Sequence, residues 1–307
     1  MRMKSGRPLA AYLALASICF FWGTVYLGIR VALEYFPPML LMGGRFFYAG
    51  LATLLAGALL RARMPSPREF AVTAFNGIVT LGLGIGTLAF AEQWVPSGLA
   101  AILTTTQPFW MIAIAAFFTG HERINLATFF GVLIGLAGTL LLVVPDALRE
   151  GLGGAVFSSF LILQLGCAGF ALGSILERQH KTTTHPIINA AVQELATGFV
   201  FLIPGLLMHH DPVKWSFRGV AAVSYLIVFG GIVGYSSFIY AMKHLPVALV
   251  SIYNYVNPVV AVLVGALLYG EKFSGLDIAA AVLVMVGVAV VKTFTGRTQE
   301  SSSAVTA

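Results

Sequence analysis

The chain has 307 residues, of which 58% are hydrophobic and 10% charged, with a formal net charge of +6 and a mean hydropathy of +0.90. Soluble domains carry roughly a quarter of their residues as charges, so this composition excludes one and points to a polytopic membrane protein. The excess of Lys and Arg then reads as cytoplasmic loop charge, with no nucleic-acid partner.

In chain order, MRMKSGR precedes a long apolar stretch in the manner of a signal peptide. That stretch lacks a small-residue cleavage site and is followed by further spans, so it reads as the first helix. Apolar periodicity predicts ten spans at 9–31, 38–60, 69–92, 98–118, 124–143, 155–177, 187–207, 218–241, 247–269 and 274–292. Connections are short, and the tail at 293–307 has the composition of a disordered cytoplasmic end. With the N-terminus inside, the inner segments hold twelve Lys and Arg, the outer segments five, and Arg45 lies within span 2. That asymmetry places both termini in the cytoplasm.

The chain also repeats itself. Gln107–Pro108 and Asn257–Pro258 stand 150 residues apart, as do Pro96 and Pro246; Arg30 and Arg178, and Pro38 and Pro186, stand 148 apart; Glu122 and Glu271, and Gly138 and Gly287, 149. Spans 1–5 (9–143) and 6–10 (155–292) read as one duplicated unit. Five is odd, so the second copy enters from the opposite side. The expected fold is therefore all-α, ten transmembrane helices as two inverted five-helix repeats, the architecture of alternating-access carriers.

Pro108 and Pro258 fall roughly 15 Å into their spans, near the bilayer centre. Each frees a carbonyl, of Thr104 and Asn254. Thr104, Gln107, Trp110, Tyr253, Asn254 and Asn257 surround those breaks. They either line a solute cavity or merely satisfy a packing kink. Trp22, Tyr26, Tyr48 and Tyr240 are further candidates for aromatic walls. Arg45 binds a solute carboxylate, or else snorkels, caps carbonyls or pairs with Glu34 or Glu92. Glu194, the one carboxylate clearly within a span, is a candidate proton carrier or a neutral packed side chain. Gln193 occupies the repeat position of Arg45. Glycines at 82, 84 and 86 and at 131, 135 and 138 mark close helix packing.

His209–His210–Asp211 reads as a solvated loop, Cys19 and Cys167 lie within apolar runs, and no metal or cofactor is expected. The chain has no phosphate-binding GxxxxGK[ST], no HExxH and no GxSxG. An enzyme is therefore not expected. A solute, the lipid bilayer and protons as a coupling ion are the expected partners.

The stretches FWGTVYLGIRVALEYFPPMLLMGGRFFYAG, AEQWVPSGLAAI and SIYNYVNPVVAVLVGALLYGEKFS resemble the drug/metabolite transporter superfamily, and within it EamA-family permeases of the YedA-like exporter branch. The resemblance implies an EamA unit in each half, an inner-membrane location and export of small metabolites or drugs. Trp22–Gly23 matches the family's first-helix motif, whereas the second half has Phe170–Ala171. The expected function is secondary-active export of small amphipathic or zwitterionic, amino-acid-like solutes around a midplane cavity. Uptake or exchange of a sugar- or nucleotide-like solute, a passive channel and a membrane scaffold are the alternatives.

Overall fold

The computed structural model describes residues 7–119, 126–150, 154–179, 182–208, 211–245, 247–250, 252–287 and 289–290. Glu122, His209, His210, Pro246 and the 293–307 tail lie outside the described residues. Those that are described form helices joined by short turns, with no β-strand among them.

Among the described residues seven helices are long and apolar enough to cross a membrane, and three shorter apolar ones accompany them. In chain order the helices are α1 (Leu9–Leu33), α2 (Pro38–Leu59), α3 (Pro67–Ala91) and α4, whose halves are Ser97–Thr104 and Gln107–Thr119. Then follow α5 (Leu126–Glu150), α6 (Ala155–Gln179), α7 (Pro186–Leu207) and α8 (Phe217–His244). Last come α9, in the pieces Val247–Val250 and Tyr253–Tyr269, and α10 (Gly275–Gly287). α5 continues through Pro145 to Glu150, past the expected end at 143.

The starts of these helices follow from local chemistry. Pro38 and Pro186 open α2 and α7, both of 22 residues, because a first-turn proline gives up an N–H that no helix partner needs. Ser66 caps α3 in a reciprocal box with Glu69. Ser216 caps α8 by accepting from Gly219 N at 3.0 Å.

α2 and α7 pack against each other as an antiparallel pair. A Cβ on Gly43 would stand 2.4 Å from the Leu202 nitrogen, on Gly50 2.7 Å from the Leu195 nitrogen, and on Gly57 2.4 Å from Ile188 Cδ1. From the other side Gly198 meets Phe47 and Gly205 meets Leu40. Glycine every seventh residue on both helices thus lets the two backbones touch along most of their length. These are not the glycines that the sequence pattern singles out for packing. α2 and α7, whose opening prolines stand 148 residues apart, run in opposite directions.

Among the described residues three helices contain π-helical turns, which the apolar periodicity does not announce: Ile18–Trp22 in α1, Ile78–Gly86 in α3 and Leu226–Tyr235 in α8. The last two occupy matching repeat positions and are rich in glycine. π turns widen the helix and leave backbone carbonyls open to side chains from neighbours.

Candidate functional site

The breaks in α4 and α9 are local consequences of proline and its neighbours. In α4 the helix stops at Thr104, turns at 105–106 and restarts at Gln107. The carbonyl freed by Pro108 accepts the Cys167 thiol from α6 at 3.6 Å. One residue earlier, Leu103 O accepts from Gln164 Nε2 at 3.3 Å and from Thr106 Oγ1 at 3.1 Å. Two α6 side chains that sequence reasoning does not select therefore repair the break. α9 differs: Pro258 lies inside a continuous helix, and the interruption comes earlier, before Tyr253.

Asn257 is buried, and its carboxamide nitrogen, oriented toward the acceptors around it, donates to Cys19 O at 3.0 Å and Tyr253 O at 3.2 Å. Cys19 belongs to the π turn of α1, so this amide ties α1 to α9. Gly23 allows the approach, since a Cβ there would stand 2.6 Å from Val260 Cβ.

Between α1, α3, α4, α6 and α9 lies a cavity of about 70 Å³. Its aromatic wall is Trp22, Tyr26, Phe170 and Tyr253. Its polar wall is Thr104, Thr105, Gln107, Cys167, Asn254 and Asn257, and Arg45 of α2 completes it. Eight of the eleven residues weighed for the cavity wall line this space. Trp110 does not: it donates from Nε1 to Gln164 Oε1 at 2.9 Å and is 36% exposed. Tyr48 is 58% exposed, and the Tyr240 ring stacks on His244 with centroids 4.1 Å apart. Neither lines the cavity.

Many polar groups of the wall are already paired. Tyr26 Oη and Thr104 Oγ1 lie 2.8 Å apart, and Gln107 Nε2 donates to Tyr253 Oη at 3.0 Å. Trp22 donates from Nε1 to Gly230 O at 3.3 Å, a carbonyl within the α8 π turns. Its ring meets Phe238 at 5.1 Å, Tyr253 at 5.3 Å and Phe170 at 6.0 Å between centroids. Phe170 packs on Gly84 of the α3 π segment, as Trp22 packs on Gly234 of the α8 segment.

The charged groups are deeply placed. Arg45 is 2% exposed, and its Nη1 finds no hydrogen-bond partner among the described residues. Of the pairings open to Arg45, that with Glu34 does not form, and Glu34 accepts the Tyr269 hydroxyl instead. Nor does Glu92 pair with it. Both Glu92 carboxylate oxygens are buried without a hydrogen-bond partner among the described residues, while its backbone oxygen accepts from Arg30 Nη1. Glu194 is fully buried outside the cavity wall, with Oε2 accepting from Thr53 Oγ1 at 3.2 Å.

Glu194 is not the only carboxylate drawn into the helices. Glu177 Oε2 accepts from Asn76 Nδ2 at 2.7 Å and from Gln193 Nε2 at 2.8 Å. Gln193 in turn accepts from the Tyr235 hydroxyl. Two amides thus hold a carboxylate that the span boundaries leave at a helix end.

Comparison with known proteins follows the same lines. The EamA-like transporter family matches twice, over residues 9–144 and 157–293. The chain belongs to the EamA-like transporter family. It is 33% identical over 280 residues to the "uncharacterized inner membrane transporter YedA" of Escherichia coli K12, covering 90% of this chain and 88% of that one. A "probable terminal-alkyne amino-acid exporter" of Streptantibioticus cattleyicolor is 27% identical over 92% of this chain and 93% of its own. A "probable amino-acid metabolite efflux pump" of Escherichia coli K12 is 25% identical over 87% of this chain and 89% of its own. A solved structure titled "Crystal structure of protein" superposes with a TM-score of 0.66 at 21% identity, over 94% of this chain and 98% of the other, and shares the fold.

Proposed function

We propose that this chain is a secondary-active exporter of small amphipathic or zwitterionic, amino-acid-like metabolites and drugs. The observation that carries the reading is the cavity itself. It lies where a broken α4 and a proline-bearing α9, equivalent in the repeat, meet a belt of aromatic side chains. Helices with proline and open backbone groups near mid-membrane are tolerated where they are buried in protein or line a water-filled space. The efflux and exporter names of the relatives support the direction.

In this proposal ten helices form two inverted units, 9–143 and 155–292, in the inner membrane with both termini cytoplasmic. The antiparallel α2–α7 seam supports the inversion. At about 70 Å³ the cavity has room for a few waters, short of the roughly 300 Å³ or more of ordinary ligand pockets. The structure is then a contracted state, and the units rock apart to admit solute. Glu194, one layer behind Arg45, takes and releases the coupling proton.

A solute screen on the purified protein in proteoliposomes, with and without an imposed proton gradient, tests the reading. Saturable flux that responds to the gradient is expected. Non-saturating flux would favour a channel, and no flux with any solute a scaffold.

A further inference from the structure

We infer that the cavity, once the units rock apart, selects its solutes by their carboxylate: a monoanionic carboxylate pairs with Arg45 while an apolar or aromatic body parts the rings of Trp22, Phe170 and Tyr253, and no solute ammonium is required. The inference rests on reading the cavity as the solute site and narrows the class that enters it.

Three observations lead there. First, Arg45 is a permanent cation buried in the cavity wall with Nη1 unpartnered among the described residues. A buried guanidinium is costly to leave unpaired, and its planar fork suits a carboxylate. Gln193, at the equivalent position, is consumed by Glu177 and Tyr235. Only one of the two equivalent positions therefore offers free donor capacity, and that one faces the cavity.

Second, among the described residues the wall contains no Asp or Glu. Its hydroxyls and amides are largely paired with one another, Tyr26 with Thr104 and Gln107 with Tyr253. No carboxylate of the wall is placed to bind a solute ammonium. An amino acid is admitted through its carboxylate, and so is the same molecule without its amine.

Third, Glu194 and Glu92 lie within electrostatic reach of Arg45 but outside the wall. Glu194 is turned toward Thr53 and packs over Gly231, and Glu92 is buried behind Arg30. Arg45 is the one Lys or Arg in the described wall, so a second negative charge on a solute meets no cation there and is opposed by these carboxylates, which disfavours phosphate esters and dicarboxylates.

The experiment compares three probes on the same purified protein: 3-phenylpropionate, phenylalanine and phenethylamine, which share a ring and differ in charge. Affinities come from calorimetric titration of the detergent-solubilised protein at neutral pH. The acid and the amino acid are expected to bind, with the amine weaker by about ten-fold or more, the scale of one charge-assisted hydrogen bond. Arg45→Gln is expected to erase that gap, and Arg45→Lys to retain part of it. An amine that binds as well as the acid, a preference that survives Arg45→Gln, or no binding by any probe overturns the inference. If Arg45→Gln does not fold, the ranking on the parent protein decides alone. Flux of the same probes in proteoliposomes separates the two readings. Acid-selective binding without flux refutes the transporter and leaves the carboxylate preference standing.

Discussion

Trp22 and Phe170, 148 residues apart in the chain, meet edge to face with ring centroids 6.0 Å apart and planes at 87°. The repeat offset makes these two positions equivalent. In the proposed inverted arrangement, equivalent residues touch only near the axis that relates the two units, so this contact marks where that axis would pass. The pair also shows how the copies have diverged. Each ring packs on a glycine of a π segment, Trp22 on Gly234 and Phe170 on Gly84, but only the indole donates a hydrogen bond, to Gly230 O.

That difference predicts separable effects at Trp22. Trp22→Phe keeps most of the aromatic packing and loses one donor, with an expected loss of about 1 kcal/mol. Trp22→Ala removes a ring packed against four other aromatics, and the expected cost is about 3–5 kcal/mol. Thermal unfolding in detergent compares the two. Equal melting temperatures for both variants would show that the ring does not hold the centre together.

The α2–α7 seam gives a matched pair of substitutions one residue apart. A Cβ on Gly43 would stand 2.4 Å from the Leu202 nitrogen, backbone that cannot move alone, whereas Gly44 has nothing within 4 Å. Gly43→Ala should force the helices apart and destabilise by about 1–3 kcal/mol. Gly44→Ala should be neutral or raise stability by up to about 1 kcal/mol, since it removes backbone freedom from an open helix position. The same melting assay reads both, and a Gly43→Ala protein as stable as the parent would contradict the close seam.

Much of this fold is legible in the residues alone. Apolar runs, the prolines at 38 and 186 and the offset of about 150 are one-dimensional signals, and among the described residues seven helices long enough to cross a membrane and three shorter apolar ones stand along those runs. Around the break in α4, the proline and its polar neighbours pointed to the cavity. What stayed hidden depends on partners distant in sequence. Gln164 and Cys167 look like ordinary apolar-run residues until α6 packs beside the α4 break. The π turns of α3 and α8 need neighbours to use their open carbonyls, as Trp22 does. Trp110 stands one turn beyond Gln107 in the same half of α4, yet its indole donates to Gln164 and does not line the cavity.

At the end of α9, Glu271 ties two distant helices together. Its carboxylate accepts from Ser97 N at 2.9 Å, Ser97 Oγ at 2.7 Å and Gly98 N at 3.1 Å, capping the start of α4. An anion on exposed first-turn N–H groups is favoured by both hydrogen bonding and the helix dipole. Glu271→Ala should cost about 1–2 kcal/mol and loosen this end of the protein. A single cysteine at Ser97, in a background without Cys19 and Cys167, would itself disturb the cap, so Val95 is the better reporter, being 1% exposed in the parent. Maleimide labelling of Val95→Cys should accelerate when Glu271→Ala is added. An unchanged rate would mean that the carboxylate caps the helix without closing the structure around it.

Glu194 separates proton coupling from architecture, because its glutamine replacement keeps almost every contact. In Glu194→Gln the carboxamide would still offer an oxygen to the Thr53 hydroxyl, now 3.2 Å from Oε2, and would fill the same space over Gly231. What it cannot do is exchange a proton. Glu194→Gln should therefore melt within about 1 kcal/mol of the parent, the usual limit for a replacement of equal volume. In proteoliposomes it should lose flux driven by a pH gradient, while exchange of internal for external solute continues, since exchange needs no net proton movement. A paired Thr53→Val variant removes the hydrogen bond and leaves the carboxyl, so it should retain gradient-driven flux with altered pH dependence. Equal gradient dependence in Glu194→Gln and parent would remove this residue from the coupling step and leave it a packed side chain between α2, α7 and α8.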